Sequence, residues 1–243
     1  MTQLQLAKAM HVASPTISAF ERGTRTPRRE HSTKADAVLS TGGRLEQLWD
    51  ELSDTRQIPE SWRDFAQLEQ QAIEIREYQM ALVPGLLQHP DYARYILRQG
   101  RPSETDEQVA SLVKARTARL ADLRHTPLTF VLEEMVFSRV LGSPEIMRSQ
   151  IDHVMGLIDN RRIRVALVPF VAPLRPALSG AYRIMNLPNG RIVVHIEHPG
   201  GLAVLSNSAD VNRLVTLFGL QQTEALSLGA SLDRMNEIRK ALS

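Results

Sequence analysis

Residues 180–197 read GAYRIMNLPNGRIVVHIE and decide the fold of the larger part of this chain. Two runs rich in β-branched and aromatic residues, 180–187 and 191–197, flank Pro188-Asn189-Gly190. Asn-Gly accepts the positive φ angles of a tight hairpin, so the stretch predicts two antiparallel strands. Upstream, LTFVLEE (128–134) and RIRVALVPF (162–170) predict two more strands. Between them, Ser143-Pro144-Glu145 starts a helix with the stripe Met147, Ile151, Val154, Met155 and Ile158. Two further helical faces follow, Val211, Leu214, Val215 and Phe218, then Leu228, Leu232, Met235, Ile238 and Leu242.

Working back toward the N-terminus, residues 62–82 read as one helix in which Glu69, Glu74 and Glu77 alternate with Phe65, Leu68, Ala72 and Ile75. VPGLL (83–87) breaks it, His89-Pro90 opens a short helix, and Ser103 with Asp106 caps a longer one. The sum is an α+β domain over residues 62–243, a sheet of about four strands covered by helices. Residues 53–61, polar and containing Pro59, read as the linker in front of it.

The head, residues 1–52, reads as all-α. Thr2-Gln3-Leu4-Gln5 has the form of a capping box, followed by the apolar face Leu6, Ala7 and Met10. His11-Val12-Ala13 is a turn. Ser14 then reads as N-cap and Pro15 as first residue of a second helix, with Ile17 and Phe20 inward and Gly23 as its stop. Arg22, Arg25, Arg28 and Arg29 cluster just beyond. Two closing helices follow, one with Ala35, Val38 and Leu39 inward, the other with Leu45, Leu48, Trp49 and Leu52.

Thr2, Gln3, Leu6 and Ala7, then Thr16, Ile17, Ser18, Phe20, Glu21 and Gly23, make the head resemble the Cro/repressor-type (XRE) helix-turn-helix. The resemblance implies double-stranded DNA as partner. Gln3 would touch a phosphate at a helix start. Ser14, Pro15, Thr16, Ser18 and Ala19 would lie toward the base edges, with Arg22 and Arg25 on the backbone. The base-facing set lacks Arg, Asn and Gln, so direct readout rests on methyl and hydroxyl contacts and on DNA shape. The likeness also implies a first helix, roughly one to two dozen residues long, ahead of the motif. Its absence here predicts a start upstream of Met1 and less cover for Leu4, Leu6, Ile17, Leu39 and Leu45.

The body resembles the C-terminal domain of actinobacterial WhiJ-like regulators. The landmarks are Val83–Gln88 with Asp91-Tyr92-Ala93, Ala115-Arg116 with Arg119, Glu134, Gly142 to Ile151, Val168-Pro169, and Val194 to Glu197. This likeness implies a cytoplasmic transcription regulator that works beside a small partner protein encoded nearby, with some members antitoxin-like. A homodimer is expected, because paired half-sites add affinity. Two readings stay open: a regulator whose body binds a partner or ligand, and an antitoxin-like interaction module with a weakened DNA-binding head.

Charge supports a phosphate-facing head. Residues 1–34 carry six bases against two acids, and residues 35–77 carry ten acids against four arginines, although the 243-residue chain nets only +2. Cysteine is absent, which excludes disulfides and thiol catalysis. No apolar run reaches the roughly 20 residues of a membrane span. Glu133, Glu134, His153, His195 and Glu197 read as structural or surface groups, since no nucleophile has a paired base and no histidines have ligand spacing. Neither enzymatic activity nor a metal or cofactor is expected. Arg161, Arg162 and Arg164 read as a solvated strand start, with anion binding as the alternative. The body's binding surface is expected on the loops at 170–180 and 197–208.

Overall fold

A computed structural model describes residues 1–23, 25, 27–49, 65–172, 180–198 and 201–242. The chain divides into two compact units, Met1–Glu60 and Ser61–Ser243. The expected linker at 53–61 and the expected core residue Leu52 lie outside the described residues.

The first unit is helical: α1 (Gln3–Met10), α2 (Ser14–Glu21), α3 (Arg29–Leu39) and a short α4 at 44–49. The Thr2 hydroxyl accepts from the Gln5 amide at 3.2 Å, and the Gln5 side chain accepts from the Thr2 amide at 2.8 Å. This closed capping box satisfies two of the orphan donors at a helix start. His11 ends α1 in the left-handed region at φ 56. One expectation is corrected: Ala13, not Ser14, is the N-cap of α2, and it offers no side-chain acceptor. Ser14 and Pro15 sit in the first turn instead, where the missing proline N–H would have no intrahelical partner anyway.

Ala7, Met10 and Ile17 form the small core of this unit. Leu39 and Leu48, expected inside, are 40% and 43% exposed. The cause is Asp36, which holds the inner face of α3. Its carboxylate accepts from the amides of Leu45 at 3.0 Å and Glu46 at 2.7 Å and from the Thr41 hydroxyl, so it caps α4. Trp49 Nε1 donates to the Pro27 carbonyl at 2.8 Å. An apolar groove of about 390 Å³ remains open between Leu6, Met10, Phe20, Leu39, Leu45 and Trp49.

The second unit runs α5 (Phe65–Gln71), β1 (Glu74–Gln79), a short 3₁₀ turn (Gly85–Leu87), α6 (Pro90–Gly100), α7 (Asp106–Asp122), β2 (Leu128–Glu133), α8 (Met135–Ser138), α9 (Pro144–Asp159), β3 (Arg164–Val168), β4 (Tyr182–Asn186), β5 (Ile192–His198), β6 (Gly201–Leu205), α10 (Ser208–Glu224) and α11 (Leu228–Ala241). Its sheet has six strands in the order β3-β2-β1-β4-β5-β6, a correction of the four expected. β1, β2 and β3 are parallel, while β4, β5 and β6 form an antiparallel meander that joins β1 through β4.

The two added strands were missed for different reasons. β1 lies where the sequence predicts the end of a helix, at 62–82. It is a central strand buried on both faces, and one of its inward positions is Glu77, so the one-face alternation of a half-buried strand is absent. β6, GLAVL, lies in a stretch read as a loop because of its glycines. The hairpin at 180–197 forms as expected, with Gly190 at φ +78 and the Leu187 amide donating to the Arg191 carbonyl at 2.8 Å. The α7 cap is Thr105, bonded reciprocally with Gln108, rather than Ser103.

The two faces of the sheet differ in chemistry. α10 lays Val211, Leu214 and Phe218 on an apolar face made by Tyr78, Val131, Val168, Tyr182, Ile184 and Val194. The opposite face carries a row set by the strand pairing, Phe130–Glu77–Arg183–His195 across β2, β1, β4 and β5. α5 meets that row through the Glu69–Arg183 ion pair, and Arg119 of α7 holds Glu69 in turn.

Candidate functional site

In the first unit, α2 turns Ile17 inward, where it is 2% exposed. Pro15, Ser18, Ala19 and Arg22 fall at the i, i+3, i+4, i+7 spacing of one outward stripe. Pro15, Arg22 and Arg25 are exposed, and Ser14, Thr16, Ser18 and Ala19 are half-buried. The Arg25 amide donates to the Ala19 carbonyl at 3.2 Å, which folds the chain back and sets Arg25 against the end of α2. Gln3 is exposed at the start of α1, and its amide donates to the Glu21 carboxylate, tying the two helices together. Arg29 pairs with Glu46 at 2.8 Å and Arg28 approaches Glu30 at 4.0 Å. The eight expected DNA-facing residues, Gln3, Ser14, Pro15, Thr16, Ser18, Ala19, Arg22 and Arg25, therefore lie on two helices and the turn that follows them.

The second unit holds a buried charged cluster that the sequence reading did not assemble. Arg183 on β4 is 5% exposed. Its Nε donates to Glu77 Oε2 at 2.7 Å, and its Nη2 lies 2.5 Å from the same oxygen. Its Nη1 bridges to Glu69 of α5. Glu69 also takes both prongs of Arg119 from α7, at 2.8 and 2.5 Å. Arg116, one turn earlier on α7, donates to the Gln88 side chain at 3.0 Å. Gln88 in turn donates to the Val83 carbonyl at 2.9 Å. Burial raises the Glu77 carboxyl above its ordinary value despite Arg183, because Arg183 is shared and the Glu69 charge adds to the rise. Burial, with Arg183 close by, lowers His195 to about 4, so the imidazole is neutral near pH 7.

Other residues singled out by sequence have different settings. Glu134 accepts from Arg234 Nε at 3.0 Å and Nη2 at 2.5 Å, and from the Phe170 amide at 3.2 Å. Glu133 accepts from the Tyr78 hydroxyl at 2.8 Å. His195 stands on β5, separated by β1 and β4 from β2 and from Glu134 just past its end. The structure does not gather those groups, and the side chain of Glu197 lies outside the described residues. His153 meets His89 edge-on at 5.8 Å, and burial with that neighbour lowers its pKa. Arg162 is structural: it donates to the carbonyls of Leu123 at 2.6 Å, Thr126 at 3.3 Å and Leu120 at 3.4 Å, closing the end of α7. Of the expected binding loops, residues 173–179 and 199–200 lie outside the described residues, and 201–205 are strand β6. Among the described residues, no group of three His, Cys, Asp or Glu side chains could hold a metal ion, and no helix is long and apolar enough to cross a membrane.

One signal for the cluster was present in the sequence. Arg183 lies between Tyr182 and Ile184 in the middle of an apolar strand, and a charge there demands a buried partner. The sequence does not supply the partner, since Glu77 reads there as a polar position of a helix. Residues 62–237 match the family model described as "Domain of unknown function (DUF5753)". No curated protein and no solved structure matches the chain.

Proposed function

We propose that this chain, which belongs to the DUF5753 family, is a sequence-specific DNA-binding transcriptional regulator of the Cro/repressor type and WhiJ-like kind, acting in the cytoplasm as a homodimer. Its first unit is a helix-turn-helix head, and its second unit binds a small partner protein or ligand that sets the regulatory state. The observation that supports this best is the outward stripe of α2. Small side chains at Pro15, Ser18 and Ala19 let a helix approach a groove closely, and the exposed Arg22 and Arg25 at its exit suit phosphate. The closed Thr2–Gln5 box and the left-handed His11 turn fix the two helices at one angle, which groove docking needs.

The test is fluorescence anisotropy of the full chain on duplexes from the region upstream of its own coding sequence. Binding should be salt-steep, because each neutralised phosphate adds about 0.9 to the slope of log affinity against log salt. A salt-independent affinity, or equal affinity for every duplex tried, would sink the reading. One observation favours the antitoxin-like alternative: Ser18, Ala19 and Pro15 offer no bidentate base contact. Failure to shift any DNA, together with capture of the product of a neighbouring gene, would select it.

A further inference from the structure

An open sheet has two edge strands, here β3 and β6. An edge strand carries a row of unpaired N–H and C=O groups and invites another strand to add to it. The second unit treats its two edges differently. At β3, the Leu167 amide donates to the Ser231 hydroxyl at 3.0 Å, and the Leu226 amide donates to the Leu167 carbonyl at 2.8 Å. Ser231 of α11 is fully buried and donates in turn to the Leu226 carbonyl at 3.3 Å. The corner between α10 and α11 thus caps β3 with a polar group placed for the purpose. At β6, among the described residues, nothing bonds to the backbone of Ala203, Val204 or Leu205 from the side away from β5. The usual blunting devices are missing there too. Gly201–Leu205 pairs with β5 in an unbroken register, so no bulge bends it away, and it contains no charge and no proline. The run stays uncharged through Ala209.

We infer that β6 is the subunit interface: a second copy of this chain adds its own β6, antiparallel across a two-fold axis, and the two sheets become one. The inference rests on the homodimer reading and names the surface that forms the dimer. A two-fold axis normal to the sheet sets the two edge strands antiparallel and matches one patch with itself. Centred on Ala203, it sets Gly201 against Leu205 of the second copy and Leu202 against Val204. Self-pairing brings each charge near its own kind, so an edge free of charge is what it requires. A foreign strand would be selected by opposite charge instead. The faces also match, because the same axis keeps each face of the sheet on its own side. Leu205 packs on the core beneath α10, and Ala203, two residues earlier, shares its face. Pairing continues that apolar row from one copy into the next. A contact of five-residue strands is smaller than the roughly 1,200–2,000 Å² of a stable complex, so the dimer should be reversible.

The experiment is sedimentation equilibrium of the full chain, without DNA, over a concentration series, with cysteine cross-linking as a second readout. The mass should rise reversibly from the 27.3 kDa of one chain toward twice that value. Val204→Lys puts a charge on the bare edge and should weaken the dimer about tenfold, with the melting temperature of the monomer left in place. The chain has no cysteine, so Ala203→Cys carries a single thiol. Opposed Cα atoms of an antiparallel pair lie about 4.5–5.5 Å apart, within disulfide reach. Mild oxidation should therefore link two copies of this variant, and the result decides the matter if Val204→Lys folds poorly. Ala166→Cys, on the capped β3 edge, should stay unlinked. The proposal is overturned if the chain is monomeric at every concentration, if Val204→Lys associates like the wild type, or if Ala203→Cys links no faster than Ala166→Cys. A monomeric chain would remove the homodimer reading as well. A dimer indifferent to Val204→Lys would leave that reading standing and refute only this edge.

Discussion

Replacing Arg183 with methionine keeps the bulk of the side chain and removes the charge at the centre of the β1–β4 seam. Glu77, 3% exposed, then loses its counter-ion, and Glu69 keeps only Arg119. Breaking a buried ion pair on one side leaves an uncompensated charge and costs about 3–5 kcal/mol. That is a large part of the roughly 5–15 kcal/mol that holds a typical domain. For a domain of this size it lowers the melting temperature by roughly 6–20 °C. The double variant Glu77→Leu/Arg183→Met should be the milder of the two. It removes both charges, and Glu69 remains bidentate on Arg119, so no orphan is left. Its cost should stay below about 2 kcal/mol. Urea and thermal unfolding followed by far-UV circular dichroism read both quantities. A single variant costing under about 1 kcal/mol, or a double variant less stable than the single, would refute the reasoning.

Further outcomes are expected. Arg22→Ala and Arg25→Ala should each weaken binding to all duplexes alike and lower the salt slope by about one in anisotropy titrations; a change confined to one sequence would contradict the phosphate role. His11→Gly should stabilise the head by about 0.5–1 kcal/mol in thermal melts, because relieving a left-handed residue returns roughly 1–2 kcal/mol and glycine's added freedom takes back about half. Burial lowers the His195 imidazole in the folded chain to about 4, below the ordinary histidine value of 6.5. The unfolded chain therefore binds more protons between those values, and the body should lose about 3 kcal/mol as pH falls from 6.5 toward 4. His195→Gln should flatten that limb of a stability–pH curve. Asp36 is lowered below 3.8, since the bonds from Thr41, Leu45 and Glu46 outweigh its burial. The head should accordingly lose this support only as pH falls below the ordinary aspartate range, and Asp36→Asn should remove the dependence in an acid titration of head melting.

Much of the fold was legible in the sequence wherever one physical signal dominated a segment. The 180–197 hairpin announced itself through Asn189-Gly190, and the strands at 128–134 and 162–170 through β-branched content. The Thr2 capping box was also readable, because it is local. The misses were tertiary. Glu77 and Arg76 looked wet, and only a neighbouring strand carrying Arg183 makes Glu77 buriable. Ala13 replaced Ser14 as the cap because the helix began one residue earlier, a shift propensity does not resolve. Leu39 and Leu48 looked inward, but the inward place on α3 went to Asp36 as a cap for the next helix. Val83–Gln88 and Arg116 with Arg119 stood out as motifs, and their meeting through the Arg116–Gln88 bond did not, since they lie on elements that meet only in three dimensions.

The Glu77–Arg183 pair joins residues 106 apart in the chain, at the seam between the parallel and antiparallel halves of the sheet. β4 is buried on both faces from Tyr182 to Met185, so its apolar residues would be covered equally well after a slip by one position. Such a slip would turn Arg183 toward Phe218 and Leu214 on the other side, away from Glu77 and Glu69. The ion pair therefore acts as an address more than as a bond, because it tells β4 which residue of β1 to sit beside. A chain with the two charges replaced by apolar groups should melt nearly as late as the wild type, yet show doubled amide resonances along β1 and β4, the mark of two alignments held at similar free energy.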